Sequence, residues 1–122
     1  MGCDLVDSRR IAKLFNKYSS RFTKRILSPH ELEVFDSMAD VNHRKISFLS
    51  KRFAAKEAVS KALKVGIGKD LSFCSISIEN TLNGAPVVKI PKNFKFEDRE
   101  YKIQISLSDE WPMALSFLVI SI

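Results

Sequence analysis

Cysteine and histidine are scarce in this chain of 122 residues. Cys3 and Cys74 are too few and too far apart for a disulfide framework or a zinc site. They are expected as buried free thiols in a reducing compartment. His30 and His43 stand alone without ligand spacing and are expected as solvated surface residues. Long apolar runs are missing too: none approaches the roughly 20 residues of a membrane span. The start of the chain has no basic region followed by an apolar core, so no secretory signal is expected. Met1-Gly2-Cys3 begins like an N-myristoylation site, but Val6 stands where Ser or Thr is needed. A phosphate-binding loop of the form GxxxxGK[ST] is absent. So are repeats, low-complexity segments, and any run of Lys and Arg interleaved with aromatics. These absences argue against nucleic-acid and membrane partners and for a cytoplasmic protein.

What is present suits one folded domain, taken as residues 1–122. The hydrophobic fraction of 45% is enough for a core without metal or disulfide staples. Charge is unevenly placed. Residues 1–69 hold 15 Lys and Arg against 7 Asp and Glu, whereas residues 70–122 hold 5 against 7. A basic first half suggests an anionic partner.

The strongest pattern is Phe48 to Lys64, rich in Ala, Leu and Lys, which form helices readily. Leu49, Phe53, Ala55, Ala58, Val59, Ala62 and Leu63 recur at helical spacing and face a core. Arg52 and Lys56 intrude into that apolar arc. Glu57, Ser60, Lys61 and Lys64 share the other face, with Glu57 and Lys61 one turn apart. Taken alone, this is a surface helix with one weak ion pair. A glycine loop, Val65-Gly-Ile-Gly68, follows directly.

Upstream, Cys3 to Val6 reads as a strand bearing Asp4. Asp7 or Ser8 can cap a helix from Arg9 to about Tyr18, with Ile11, Leu14, Phe15 and Tyr18 inward. Arg21 to Leu27 reads as a basic connector. Ser28-Pro29-His30-Glu31 is a capping box with proline at the first helical position. The helix it starts buries Leu32, Val34 or Phe35, and Met38. Downstream, Phe73 to Glu79 alternates, with Cys74, Ile76 and Ile78 on one face of a strand. Asn83-Gly84 turns a hairpin into Ala85 to Ile90. Pro91 to Glu100 is a loop. Tyr101 to Leu107 alternates again, and Met113 to Ile122 is apolar on both faces, as a central or interface strand would be. Helices first and antiparallel strands afterwards define an α+β domain, an antiparallel sheet against one long helix with shorter N-terminal helices.

The chemically suggestive set is Asp4, Glu57, Lys61 and the glycine loop. Two carboxylates can hold magnesium, which keeps other sites for water and phosphate oxygens. A lysine one turn from Glu57 can neutralise a phosphate or protonate a leaving group. Gly66 and Gly68 let backbone approach a bulky ligand.

The series Arg52-Phe-Ala-Ala-Lys-Glu-Ala-Val-Ser-Lys-Ala-Leu63 with Gly66-Ile-Gly68 resembles the signature of the holo-acyl-carrier-protein synthases, the small bacterial branch of the 4′-phosphopantetheinyl transferases. Gly2-Cys-Asp-Leu-Val6, Arg21 to Leu27, Glu31-Leu32 and Asn83-Gly-Ala-Pro86 are similar to further motifs of that family, in its order and along nearly the whole chain. The resemblance implies transfer of phosphopantetheine from coenzyme A to a serine of apo acyl carrier protein, with adenosine 3′,5′-bisphosphate as the other product and a place in fatty acid biosynthesis. It implies Asp4 and Glu57 as magnesium ligands and Lys61 as the partner of the leaving phosphate. A carboxylate or a metal-bound water near Asp4 would take the serine proton. It also implies Arg52, Ser60, Lys61, Gly66, Asn83, Gly84 and Pro86 around coenzyme A. Arg10, Arg21, Arg25 and Arg44 would dock the acidic carrier, whose opposite charge speeds encounter. A homotrimer with sites between neighbouring subunits is implied as well.

Two departures stand out. The family commonly carries histidine after Ser-hydrophobic-Ser, and this chain has Ser106-Leu-Ser-Asp109. Ala85 stands where the hairpin often carries lysine. A non-catalytic relative, supported only by Asp109, and a basic nucleic-acid-binding module are the rival readings.

Overall fold

The long helix lies across one face of a three-stranded antiparallel sheet, and a smaller two-stranded sheet sits beside them. A computed structural model describes residues 1–66 and 71–122. The glycine loop expected to reach Gly68 therefore runs partly outside the described residues. In chain order the elements are β1 (Gly2–Asp7), α1 (Ser8–Tyr18), α2 (Ser20–Ile26), α3 (Pro29–Ser37) and α4 (Arg44–Leu63). A 3₁₀ turn (Phe73–Ser75) then leads to β2 (Ser77–Asn80), β3 (Pro86–Lys89), β4 (Lys102–Glu110) and β5 (Met113–Ser121). The larger sheet runs β1-β5-β4, and among the described residues β2 pairs only with β3. This is the expected α+β architecture, with the apolar strand β5 at the centre of its sheet.

Local signals account for most boundaries. The Asp7 carboxylate caps α1 by accepting from the Arg9 N–H at 2.9 Å. Arg9 also holds the Asp7 pKa down to about 2. Ser28 and Glu31 form the full capping box of α3, with Pro29 in its first turn. Gly84 turns the β2–β3 hairpin at φ +82, where glycine is the default residue. The Arg21 stretch is helical rather than a connector: Phe22 and Ile26, four apart, are both buried, and their burial fixes a helix too short to announce itself by periodicity. The expected strand over Phe73 to Glu79 is shortened by the 3₁₀ turn. That turn exposes Cys74, while Ile76 and Ile78 remain buried. Cys3 is exposed as well, so neither thiol is the buried residue expected.

Helix α4 joins two apolar clusters. Phe48, Leu49 and Ala54 pack with Val6, Ile11, Phe22 and Phe35, and Val59, Ala62 and Leu63 pack with Ile76, Ile78 and Leu118. Each large aliphatic side chain buried here contributes about 1.5–3 kcal/mol. At Gly2 the first strand touches the helix: a Cβ there would come 2.1 Å from the Ala58 carbonyl oxygen. Only glycine permits that approach. It fixes the position of Asp4, two residues further along the strand.

Candidate active site

Strand β1 and the exposed face of α4 bring together three of the residues expected to act. Lys61 donates to Asp4 Oδ1 at 2.8 Å and to the Cys3 carbonyl at 3.1 Å. Asp4 is largely covered, with its side chain 15% exposed, whereas Lys61 is 53% exposed. The bond to Asp4, followed by the charges of Asp4 and Glu57, raises the Lys61 pKa despite some desolvation. Glu57, one turn before Lys61, is half-buried. Burial and then the Asp4 charge raise its pKa, against the pull of Lys61 and Arg10. Asp4 and Glu57 thus feel each other across the strand–helix contact, and Arg10 of α1 reaches the same neighbourhood. Its guanidinium lies 5.8 Å from the centre of the Phe53 ring.

The donor set suits magnesium. Among the described residues no three acids, histidines or cysteines gather as a closed metal site. Two carboxylates without a third ligand match an ion that keeps water and phosphate oxygens around it. Asp4 draws Lys61, and Glu57 is partly desolvated beside a second acid, so the pair presents negative charge to a cation. Asp4 and Glu57 would hold the ion, and Lys61 would be released toward a phosphate.

The other expected residues are spread over the molecule. Ser60 donates its hydroxyl to the Val65 carbonyl at 2.6 Å and so ties the end of α4 to the start of the glycine loop. Gly66 is exposed, with nothing within 4 Å of where a Cβ would stand. Arg52 is only 7% exposed. Its Nε lies 3.7 Å from Glu31 Oε2 and its guanidinium 4.4 Å from the Phe48 ring centre. Burial pushes its pKa down, partly offset by Glu31. Nine residues of helix put Arg52 and Lys61 on opposite sides of α4. Asn83, Gly84 and Pro86 belong to the β2–β3 hairpin, which packs chiefly on α3 and β4 rather than beside Asp4. Arg10, Arg21, Arg25 and Arg44 are all exposed. Arg21 and Arg25 border a groove of about 630 Å³ with Leu14, Tyr18, Phe22 and Ile26. Arg44 opens α4, next to His43, whose ring stacks on Trp111 of the β4–β5 turn at 3.8 Å.

Two charge pairings were not visible in the sequence. Lys56 is fully buried. Burial lowers its pKa, and Glu31 opposes that shift. Its ammonium donates to Glu31 Oε1 and to the Ile26 carbonyl. Glu31 also accepts from the Ser28 and Ile78 N–H groups, each at 2.8 Å. One carboxylate therefore ties α3, α4 and β2 together, and Lys56 adds the end of α2. The available signal was a lysine on the apolar arc, which requires a buried partner. The second feature is Asp109, whose carboxylate lies 3.2 Å from Lys51 Nζ. The acid at the family's histidine position is thus paired with a cation from α4.

Strand β1 and α4 thus bring two carboxylates and a lysine together beside the basic helix α1. A family model described as the 4′-phosphopantetheinyl transferase superfamily matches residues 1–116. The holo-[acyl-carrier-protein] synthase of Orientia tsutsugamushi (strain Ikeda) is 41% identical over 126 aligned residues, covering 99% of this chain and 95% of that protein. Similar solved structures include the following two. The holo-(acyl-carrier-protein) synthase of Bacillus anthracis in complex with coenzyme A (3′,5′-ADP) has a TM-score of 0.80 and 33% identity, covering 98% of this chain and 91% of that one. The Helicobacter pylori synthase in complex with coenzyme A has a TM-score of 0.80 and 33% identity, covering 98% of each chain. The chain belongs to the 4′-phosphopantetheinyl transferase superfamily, in its holo-[acyl-carrier-protein] synthase family.

Proposed function

We propose that this chain, acting as a single transferase domain, moves the 4′-phosphopantetheine group of coenzyme A onto a serine of apo acyl carrier protein. The products are holo carrier protein and adenosine 3′,5′-bisphosphate, and the reaction serves fatty acid biosynthesis. The observation that carries the reading is the Asp4–Lys61–Glu57 cluster in a chain of this family. The serine oxygen forms a bond to the phosphorus bearing pantetheine, and the bond from that phosphorus to the adenosine-side phosphate oxygen breaks. Bound magnesium would polarise the diphosphate and stabilise charge on it. Asp4 and Glu57 would hold that ion. Lys61 turns from Asp4 to the leaving phosphate and neutralises or protonates it. The serine proton leaves to a base beside Asp4. Ser60 and Gly66 shape the loop end of the coenzyme site, and Arg10, Arg21, Arg25 and Arg44 dock the acidic carrier.

We also propose a homotrimer with shared sites. The outer face of the large sheet exposes Leu5, Leu115 and Phe117 side by side, an apolar patch on the central and edge strands that a second copy would cover. Arg52 and the Asn83–Pro86 hairpin lie away from Asp4 within one chain, and they would serve the site of a neighbour. The setting is cytoplasmic, in keeping with two exposed free thiols.

The test is incubation of the protein with apo carrier, coenzyme A and magnesium, followed by intact mass spectrometry. The carrier should gain one phosphopantetheine. A folded protein that yields no such product over a range of carrier proteins and magnesium concentrations overturns the reading.

A further inference from the structure

Ser116 sits on β5, fully buried, and its hydroxyl finds no hydrogen-bond partner among the described residues. Buried polar groups are nearly always paired, so an orphan hydroxyl needs a reason. The sheet register supplies a neighbour. Ser116 lies directly between Asp4 on β1 and Leu107 on β4. Side chains so opposed share a face, about 4.5–5.5 Å apart at Cβ. Along β5 the same face carries Ala114 and Leu118, and the helix covering the sheet buries Ala54, Ala55 and Ala58. Asp4 is the one polar side chain directly opposite Ser116. Its Oδ1 accepts from Lys61, while Oδ2 accepts from no side chain or N–H among the described residues. A donor without an acceptor therefore adjoins an acceptor without a donor.

We propose that Ser116 is a positioning residue for Asp4. When Lys61 leaves Asp4 for a phosphate, the Ser116 hydroxyl donates to the carboxylate and fixes which oxygen faces the cation. Carboxylates that hold metals are commonly oriented by such outer hydrogen bonds, and losing one typically weakens binding about 10–100-fold. The inference rests on the magnesium reading of Asp4.

The experiment is calorimetric titration of magnesium into the full-length protein saturated with coenzyme A, for the native chain, Ser116→Ala and Asp4→Asn. Ser116→Ala should weaken magnesium binding about 10-fold or more. Its melting temperature should be no lower than that of the native chain, because only an unpaired hydroxyl is removed. Native magnesium affinity in Ser116→Ala beside a weakened Asp4→Asn would overturn the role of the hydroxyl alone. Native affinity in both would overturn the metal reading and this inference with it. A weakened affinity that tracks a lowered melting temperature would assign Ser116 to packing and also overturn it.

Discussion

Glu57 is held at some cost to the fold. Burial, and then the Asp4 charge, set its folded pKa above the ordinary carboxylate value. A group raised in this way contributes stability at low pH and loses it as pH rises through the folded value. At neutral pH without a metal, the ionised side chain therefore opposes folding. Glu57→Gln should melt at the same temperature as the native chain or higher in magnesium-free buffer, while losing turnover. Scanning calorimetry at neutral pH checks this, and a clear drop in melting temperature would contradict it. Gly2 makes the complementary case. Any side chain there meets the Ala58 carbonyl oxygen at an impossible 2.1 Å, so Gly2→Ala must push β1 off α4. Overpacking of this kind costs about 1–3 kcal/mol. Chemical denaturation should show the loss, and the magnesium requirement should rise because Asp4 moves with the strand.

At the scale of elements, α4 works on two sides. Its exposed side carries Glu57 and Lys61, and its buried side carries Lys56 and Arg52 into the Glu31 network. Removing one partner of a buried pair leaves an uncompensated charge, worth about 3–5 kcal/mol. Lys56→Met should lose stability of that order in urea titration. Combining it with Glu31→Gln should recover part of the loss, since the uncompensated charge is then gone while an acceptor remains for the Ser28 and Ile78 N–H groups. Equal stability of Lys56→Met and the native chain would refute the network's role. The same elements show what the sequence could disclose. The α3 capping box, the Asn83-Gly84 turn and the apolar arc of α4 are local, and each was legible. Asp4, Glu57 and Lys61 were legible as chemistry because helix spacing sets one pair and the family motifs set the third. The Glu31–Lys56 pair joins residues 25 apart, and the Asp4–Ser116 register joins opposite ends of the chain, so no local pattern announces either. Helix α2 was missed because a helix of 7 residues leaves no periodicity to read. The alternation of Phe73 to Glu79 misled because a 3₁₀ turn breaks its register.

At the scale of the whole molecule, the three-stranded sheet has one face on α4 and one face exposing Leu5, Leu115 and Phe117. In the proposed trimer, Arg52 and the hairpin of one copy serve the coenzyme site of its neighbour. Phe117→Arg should shift sedimentation from three chains toward one and reduce transfer together with it. Full activity from a single-chain species would refute the shared site. In the proposed mechanism Asp4 and Glu57 hold the magnesium on which transfer depends. That role is tested most directly by following holo carrier formation by intact mass across magnesium concentrations for the native chain and Glu57→Gln. The native chain should show saturable magnesium dependence, and Glu57→Gln should form no product at concentrations that saturate the native chain. A folded Glu57→Gln that turns over with the native magnesium requirement would contradict the account.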